Sequence, residues 1–250
     1  MKRITLTGIP GSHPVAAVQA MLELKALPYV RRDFPNQIHR RLLRLRGFRG
    51  TTVPTARIDG RRVEGSRAIA RALDELKPQP PLFPAGAERR AEVEELERWA
   101  DEELQEVARR LAYWAVQHDR ASLATFASPS YLPFPDRAMP LLVPLLAPIV
   151  LRGMRVDDEA TRRRLETLAV QLDRVDAALE TRVLGGTEPT AADFQVAACV
   201  RLLLCFDDLR PRIDPRPAGA LARRLLPDYP GRFAAVFPAE WLRPLDGAAR

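Results

Sequence analysis

The chain has 250 residues, 46% of them hydrophobic, which is enough for a sizeable core and argues against global disorder. Its formal charge is +7, from 39 basic and 32 acidic residues, and lysine occurs only at Lys2, Lys25 and Lys77. Acids and bases interleave along stretches such as Glu88 to Glu106, as on a solvated helix face, which argues against nucleic acid as a partner.

The start of the chain, Met1 to Leu6, offers only a short apolar stretch before Gly8 and Pro10, too short for a signal peptide. The most lipid-like segment, Met139 to Leu151, is too short to span a bilayer and is broken by Pro140, Pro144 and Pro148. Two cysteines do not make a disulfide scaffold, so the expected compartment is a reducing cytoplasm. No Cys/His cluster is spaced to bind a metal, and none is expected.

In chain order, Arg3 to Thr7 reads as a strand closed by Gly8-Ile9-Pro10-Gly11. Ser12 then stands where it would cap a helix bearing Val15, Val18 and Leu22. Pro28 to Arg32 is a second strand, followed by a basic helix from about Gln37 to Arg46. Val53 to Ile58 is a third strand, and Asp59-Gly60 turns it into a fourth at Arg62 to Glu64. A helix from Ser66 to about Leu76 completes a βαβαββα order, the pattern of a small α/β sandwich over residues 1–77. Residues 78–86 are rich in proline and read as a linker. From 87 to 250 the pattern is all-helical. Val93 through Trp114 step by three or four as one long amphipathic helix. Leu165 to Leu179 form another, stopped at Gly185-Gly186, and Thr190-Ala-Ala-Asp193 is a capping box opening an apolar helix.

Two motifs on these elements resemble a known family. Thr52-Val53-Pro54, with Asp59-Gly60 and then Val63-Glu64-Gly65-Ser66-Arg67, resembles the thiol-binding signature of glutathione transferases. Leu184-Gly-Gly through Thr190-Ala-Ala-Asp193-Phe194 resembles the capping box of their helical domain. The resemblance implies a thioredoxin-like N-terminal domain with an all-helical C-terminal domain, and a cytoplasmic homodimer. It also implies a detoxification-type reaction that joins glutathione, or another low-molecular-weight thiol, to a hydrophobic electrophile. A non-catalytic ligand-binding or protein-interaction module on the same fold is the alternative.

A free thiol with a pKa near ~8.5 is mostly protonated at neutral pH. Lowering it by about two units takes about 2.7 kcal/mol, the strength of one charge-assisted hydroxyl bond plus a helix N-terminus. Ser12 stands where the family's serine classes carry that hydroxyl, although a plain helix cap explains a serine there equally well. No tyrosine ends the first strand, and the first cysteine is Cys199, so tyrosine-type and cysteine-type chemistry are excluded. The adjacent His13 is a second candidate for orienting or deprotonating the thiol. The resemblance implies a cis Pro54, with the Val53 backbone pairing to the thiol peptide like an added strand. It places Ser66 at a carboxylate-binding helix start and His39, with Arg40 and Arg41, near the far carboxylate. The residue before that serine is usually acidic or Gln and holds the ammonium of glutathione; here it is Gly65, with Glu64 one position early and Arg67 adding positive charge. Tyr113 and Trp114 are candidates for the hydrophobic substrate pocket, although core packing explains Trp114 on its 3,4 stripe at least as well; the segment 128–154, with Tyr131 and Phe134, reads as a wall or lid of that pocket or as a partner-binding surface.

Overall fold

A computed structural model of the protein describes residues 3–126, 141, 148 and 156–247. The segment 128–154, apart from positions 141 and 148, lies outside the described residues. Four strands, β1 (Ile4–Gly8), β2 (Tyr29–Asp33), β3 (Thr55–Ile58) and β4 (Arg61–Glu64), form one sheet in the order β2-β1-β3-β4. β1 runs parallel to β2 and antiparallel to β3, and β3 and β4 make a hairpin. Helices α1 (His13–Leu24), α2 (His39–Leu45) and α3 (Ser66–Leu76) interleave with the strands in the order expected. The third strand starts at Thr55 rather than Val53, since Pro54 has no N–H to give to the ladder; the Val53-Pro54 peptide is cis.

After the linker the described residues form helices α4 (Ala87–Trp99), α5 (Gln105–His118), α6 (Ser122–Thr125), α7 (Asp158–Glu180), α8 (Ala191–Leu203), α9 (Arg210–Ile213), α10 (Pro217–Leu225) and α11 (Ala239–Asp246). The long helix read from Val93 to Trp114 is interrupted by a π-helical turn at Ala100–Leu104. Such turns shift the register of side chains and gather at functional sites. The capping box is formed in full: the Asp193 carboxylate accepts from the Thr190 N–H, the Thr190 hydroxyl and the Gly185 N–H at 2.8, 2.8 and 2.7 Å. Nearly all of α8 is buried, and it packs against α1, α4 and α10, so one core runs from the sheet into the helical part.

A buried cation ties the two parts at the connection. Lys25, at the end of α1, is fully buried, and its ammonium donates to Asp74 (2.8 Å) and to the carbonyls of Lys77 and Pro80 (both 2.7 Å). Its three donors are thereby satisfied, which lets a lysine sit in the interior. The chain after Leu225 returns to the first domain: the Tyr229 hydroxyl donates to the Gly11 carbonyl at 2.6 Å.

Candidate functional site

The β1–α1 loop presents Ser12 as the N-cap of α1, with extended backbone (φ −75°, ψ 111°) and Pro14 in the first turn. The backbone carbonyl of Ser12 accepts from Ala16, but its hydroxyl makes no capping bond. It is therefore not spent on the helix. Gly8 is required just before it, since a Cβ there would lie 2.7 Å from Asp33 Oδ1 and 2.8 Å from Val15. Phe126 wedges against both Gly11 and Gly231, and Tyr229 bonds Gly11, so the C-terminal segment holds the loop that carries Ser12. Ser12 borders a shallow cavity of about 160 Å³, with Gln19, Arg31 and Tyr229 in its lining. That volume suits a few waters or the tip of a ligand rather than a whole tripeptide.

His13 points the other way. It is buried, its Nε2 has no hydrogen-bond partner among the described residues, and burial, with help from Arg109, lowers its pKa to about 3. It is a neutral interior imidazole, not a surface base. His39 is likewise buried, with its pKa lowered by burial and then by Arg40, opposed by a backbone bond involving Thr51. Arg40 and Arg41 beside it are exposed.

Across the sheet, the cis Val53-Pro54 bond brings the loop to the edge of the site. The Val53 N–H and C=O make no hydrogen bond with any described residue, while Pro54 uses its carbonyl to accept from Gly65 at 2.9 Å. Gly65 has φ +85°, a conformation in which any side chain is strained, although a Cβ would meet nothing within 4 Å. The backbone here thus favours glycine on its own account. Gly65 caps α3, so Ser66 is the first helical residue rather than the cap. Glu64 is committed elsewhere: its carboxylate accepts from the N–H groups of Arg49 (2.8 Å) and Gly50 (2.6 Å). Arg67 is compensated too, 3.7 Å from Glu97 and 3.5 Å from Glu102, which leaves less free positive charge at the site than the sequence reading expected.

Asp101 is the residue that sequence reasoning missed. It projects from the π-helical turn and accepts from Gln105 (2.8 Å), Gln195 (3.3 Å) and Ser66 (3.5 Å). Burial raises its pKa, while Arg67, Ser66 and Gln105 oppose the rise. The nine acids from Glu88 to Glu106 read only as a charged helix face, and nothing in that periodicity marks one carboxylate as turned inward.

Tyr113 is half-buried against the core, and Trp114 is buried. The Trp114 indole donates to Asp158 at 2.9 Å and stacks with His118 (3.8 Å) and Phe237 (5.1 Å). It is a keystone between α5, α7 and the C-terminal segment. Cys199 and Cys205 are buried free thiols. Burial pushes Cys205 to about 12 and Cys199 higher still, so neither is a ready nucleophile. Among the described residues no group of three or more His, Cys, Asp or Glu side chains is placed to hold a metal ion. No helix among them is long and apolar enough to cross a membrane.

Residues 6–81 match the family model of the glutathione S-transferase N-terminal domain. No curated protein matches the chain in sequence. Among solved structures, FzlA from C. crescentus is 20% identical with a TM-score of 0.61, over 97% of this chain and 99% of that one. A glutathione S-transferase from Rhodospirillum rubrum F11 is 21% identical with a TM-score of 0.56, over 98% and 100%. Rice GST1 in complex with glutathione is 17% identical with a TM-score of 0.58, over 98% and 87%. The chain therefore has the glutathione S-transferase superfamily fold, a mixed four-stranded N-terminal domain followed by a helical region.

Proposed function

We propose that this protein binds a low-molecular-weight thiol between Ser12, the Val53 backbone and the start of α3, and joins it to a hydrophobic electrophile. The observation that carries the reading is the unspent Ser12 hydroxyl at the N-terminus of α1. A serine that served only as a cap would have its oxygen on the N–H of N2 or N3. One left free at a helix start donates to a sulfur anion, with the helix dipole adding to the effect. The open N–H and C=O of Val53 suit an extended thiol peptide. In this reading Asp101, beside Ser66, takes the ammonium that the side chain before Ser66 holds in the pattern this chain resembles. The thiol and the electrophile are the partners; a homodimer and a cytoplasmic location belong to the same proposal. Rice GST1, a structure of similar fold solved with glutathione, supports this chemical class of ligand.

A second reading, ligand binding without transfer, draws on Glu64, Arg67 and Gly65, none of which offers a free charge to glutathione. Calorimetric titration with glutathione separates the two. The wild type is expected to bind weakly, at about millimolar Kd, and Asp101→Asn to lose about tenfold or more. Gly65→Gln should strengthen binding while losing about 1–3 kcal/mol of stability to its positive φ. Unchanged affinity in both variants would favour a different ligand, or a module without transfer.

A further inference from the structure

The formal charge of +7 is not spread over the molecule. Residues 28–65 hold ten arginines against Asp33, Asp59 and Glu64, a net of +7, and the remainder of the chain balances to zero. Eight of the ten, Arg32, Arg40, Arg41, Arg44, Arg46, Arg49, Arg57 and Arg62, are exposed, and none forms an ion pair with a described carboxylate. Strand register sets Arg57 directly opposite Arg62, and Thr5 beside Arg57 continues the row to Val30. Arg62 lies along Gly47, Arg57 donates to the Arg46 carbonyl at 3.2 Å, and Arg46 stacks 4.8 Å over Phe34. The sheet's outer face and α2 are thus joined into one arginine surface. Like charges directly opposite in a sheet destabilise it, and the described residues supply no counter-charge. Within the same surface stand Leu45, 83% exposed, and Val30, 49% exposed.

We propose that this face docks an acidic segment of a partner protein in which Asp or Glu alternates with large apolar residues. Guanidinium groups bind carboxylates bidentately and are enriched where proteins bind proteins. The apolar pair decides the class of partner. A phosphate backbone offers nothing to Leu45 or Val30. An anionic membrane calls for a helix with a continuous apolar face, whereas α2 has seven residues and turns Leu43 inward. An acidic–apolar segment matches both features.

The test is fluorescence anisotropy with a labelled synthetic peptide of alternating Glu and Leu, against polyglutamate, a DNA duplex and phosphatidylglycerol vesicles. The wild type should bind the Glu-Leu peptide most tightly, more weakly as salt rises. Arg57→Glu with Arg62→Glu should weaken it about tenfold or more. Arg162→Glu with Arg163→Glu, an equal charge change on α7, should leave it unchanged. Leu45→Ser should weaken the Glu-Leu peptide but not polyglutamate. Melting curves check that each variant is folded, and Arg57→Gln with Arg62→Gln replaces the charge reversal if it is not. Tighter binding to duplex or vesicles, equal loss in both double variants, or no binding of the peptide would overturn the proposal.

Discussion

On α4, α5 and α7, Arg90 meets Glu94, Arg98 meets Glu95 and Glu102, Arg110 meets Glu106 and Arg163 meets Glu159, all at helical spacing. Across the sheet and α2, eight exposed arginines meet no described carboxylate. The helical ladder follows from local sequence, since residues three or four apart share a face. It keeps the helices soluble and adds little stability. Interior ion pairs matter more to the structure, and several join distant elements: Lys25 with Asp74, Glu97 with Arg71 at 2.9 Å, and Arg216 with Asp176 at 2.8 Å. The unpaired face is where charge remains available to something outside the chain.

Mutations rank by this contrast. Lys25→Ala removes the counter-charge of Asp74, leaving it the Leu82 N–H, and frees the carbonyls of Lys77 and Pro80; it should cost about 3–5 kcal/mol, read as a fall of roughly 10 °C in Tm. A loss no larger than that of a surface lysine would break the distinction between interior and ladder pairs. Asp193→Ala removes the acceptor of two N–H groups and one O–H at the buried start of α8 and should cost about 2–4 kcal/mol in denaturant melts.

The pH dependence tests the interior directly. His13 titrates near 6.5 when unfolded and near 3 when folded, so between those values the unfolded chain binds the extra proton. Stability from this group is fully present above the unfolded value and falls as pH drops through that window. His13→Asn should flatten part of the acid limb of a Tm-versus-pH curve; an unchanged limb would place the acid sensitivity in the carboxylates instead. At the small end, Cys199→Ala with Cys205→Ala should lose stability by cavity formation but keep any thiol-dependent activity. Arg98→Ala should leave the melting curve unmoved.

Periodicity and turn chemistry made the element order legible, including the hairpin at Asp59-Gly60 and the Thr190–Asp193 capping box, because both are local signals. The π-helical turn was not legible: the apolar 3,4 stripe runs through it unbroken, and only the tertiary packing shows that Asp101 faces Ser66. Trp114 is buried, as its place on the 3,4 stripe allowed, but its indole bond to Asp158, from a helix far along the chain, was not legible. The tail after Arg210, rich in proline and arginine, offered no period to read, yet Tyr229 bonds the loop that presents Ser12, and Gly231 packs on Phe126, which wedges against Gly11. Cys199 is distant from the thiol loop in sequence but lies close enough in space for Asp101 and Arg109 to act on it.

The proposed transfer depends on Ser12 stabilising a bound thiolate. Ultraviolet titration of the thiolate absorbance, with saturating glutathione on wild type and Ser12→Ala, measures it without a chosen electrophile. The account predicts a bound-thiol pKa about two units below that of the free thiol in the wild type, and most of that shift lost in the variant. An equal pKa in both proteins, with glutathione still bound, would contradict it.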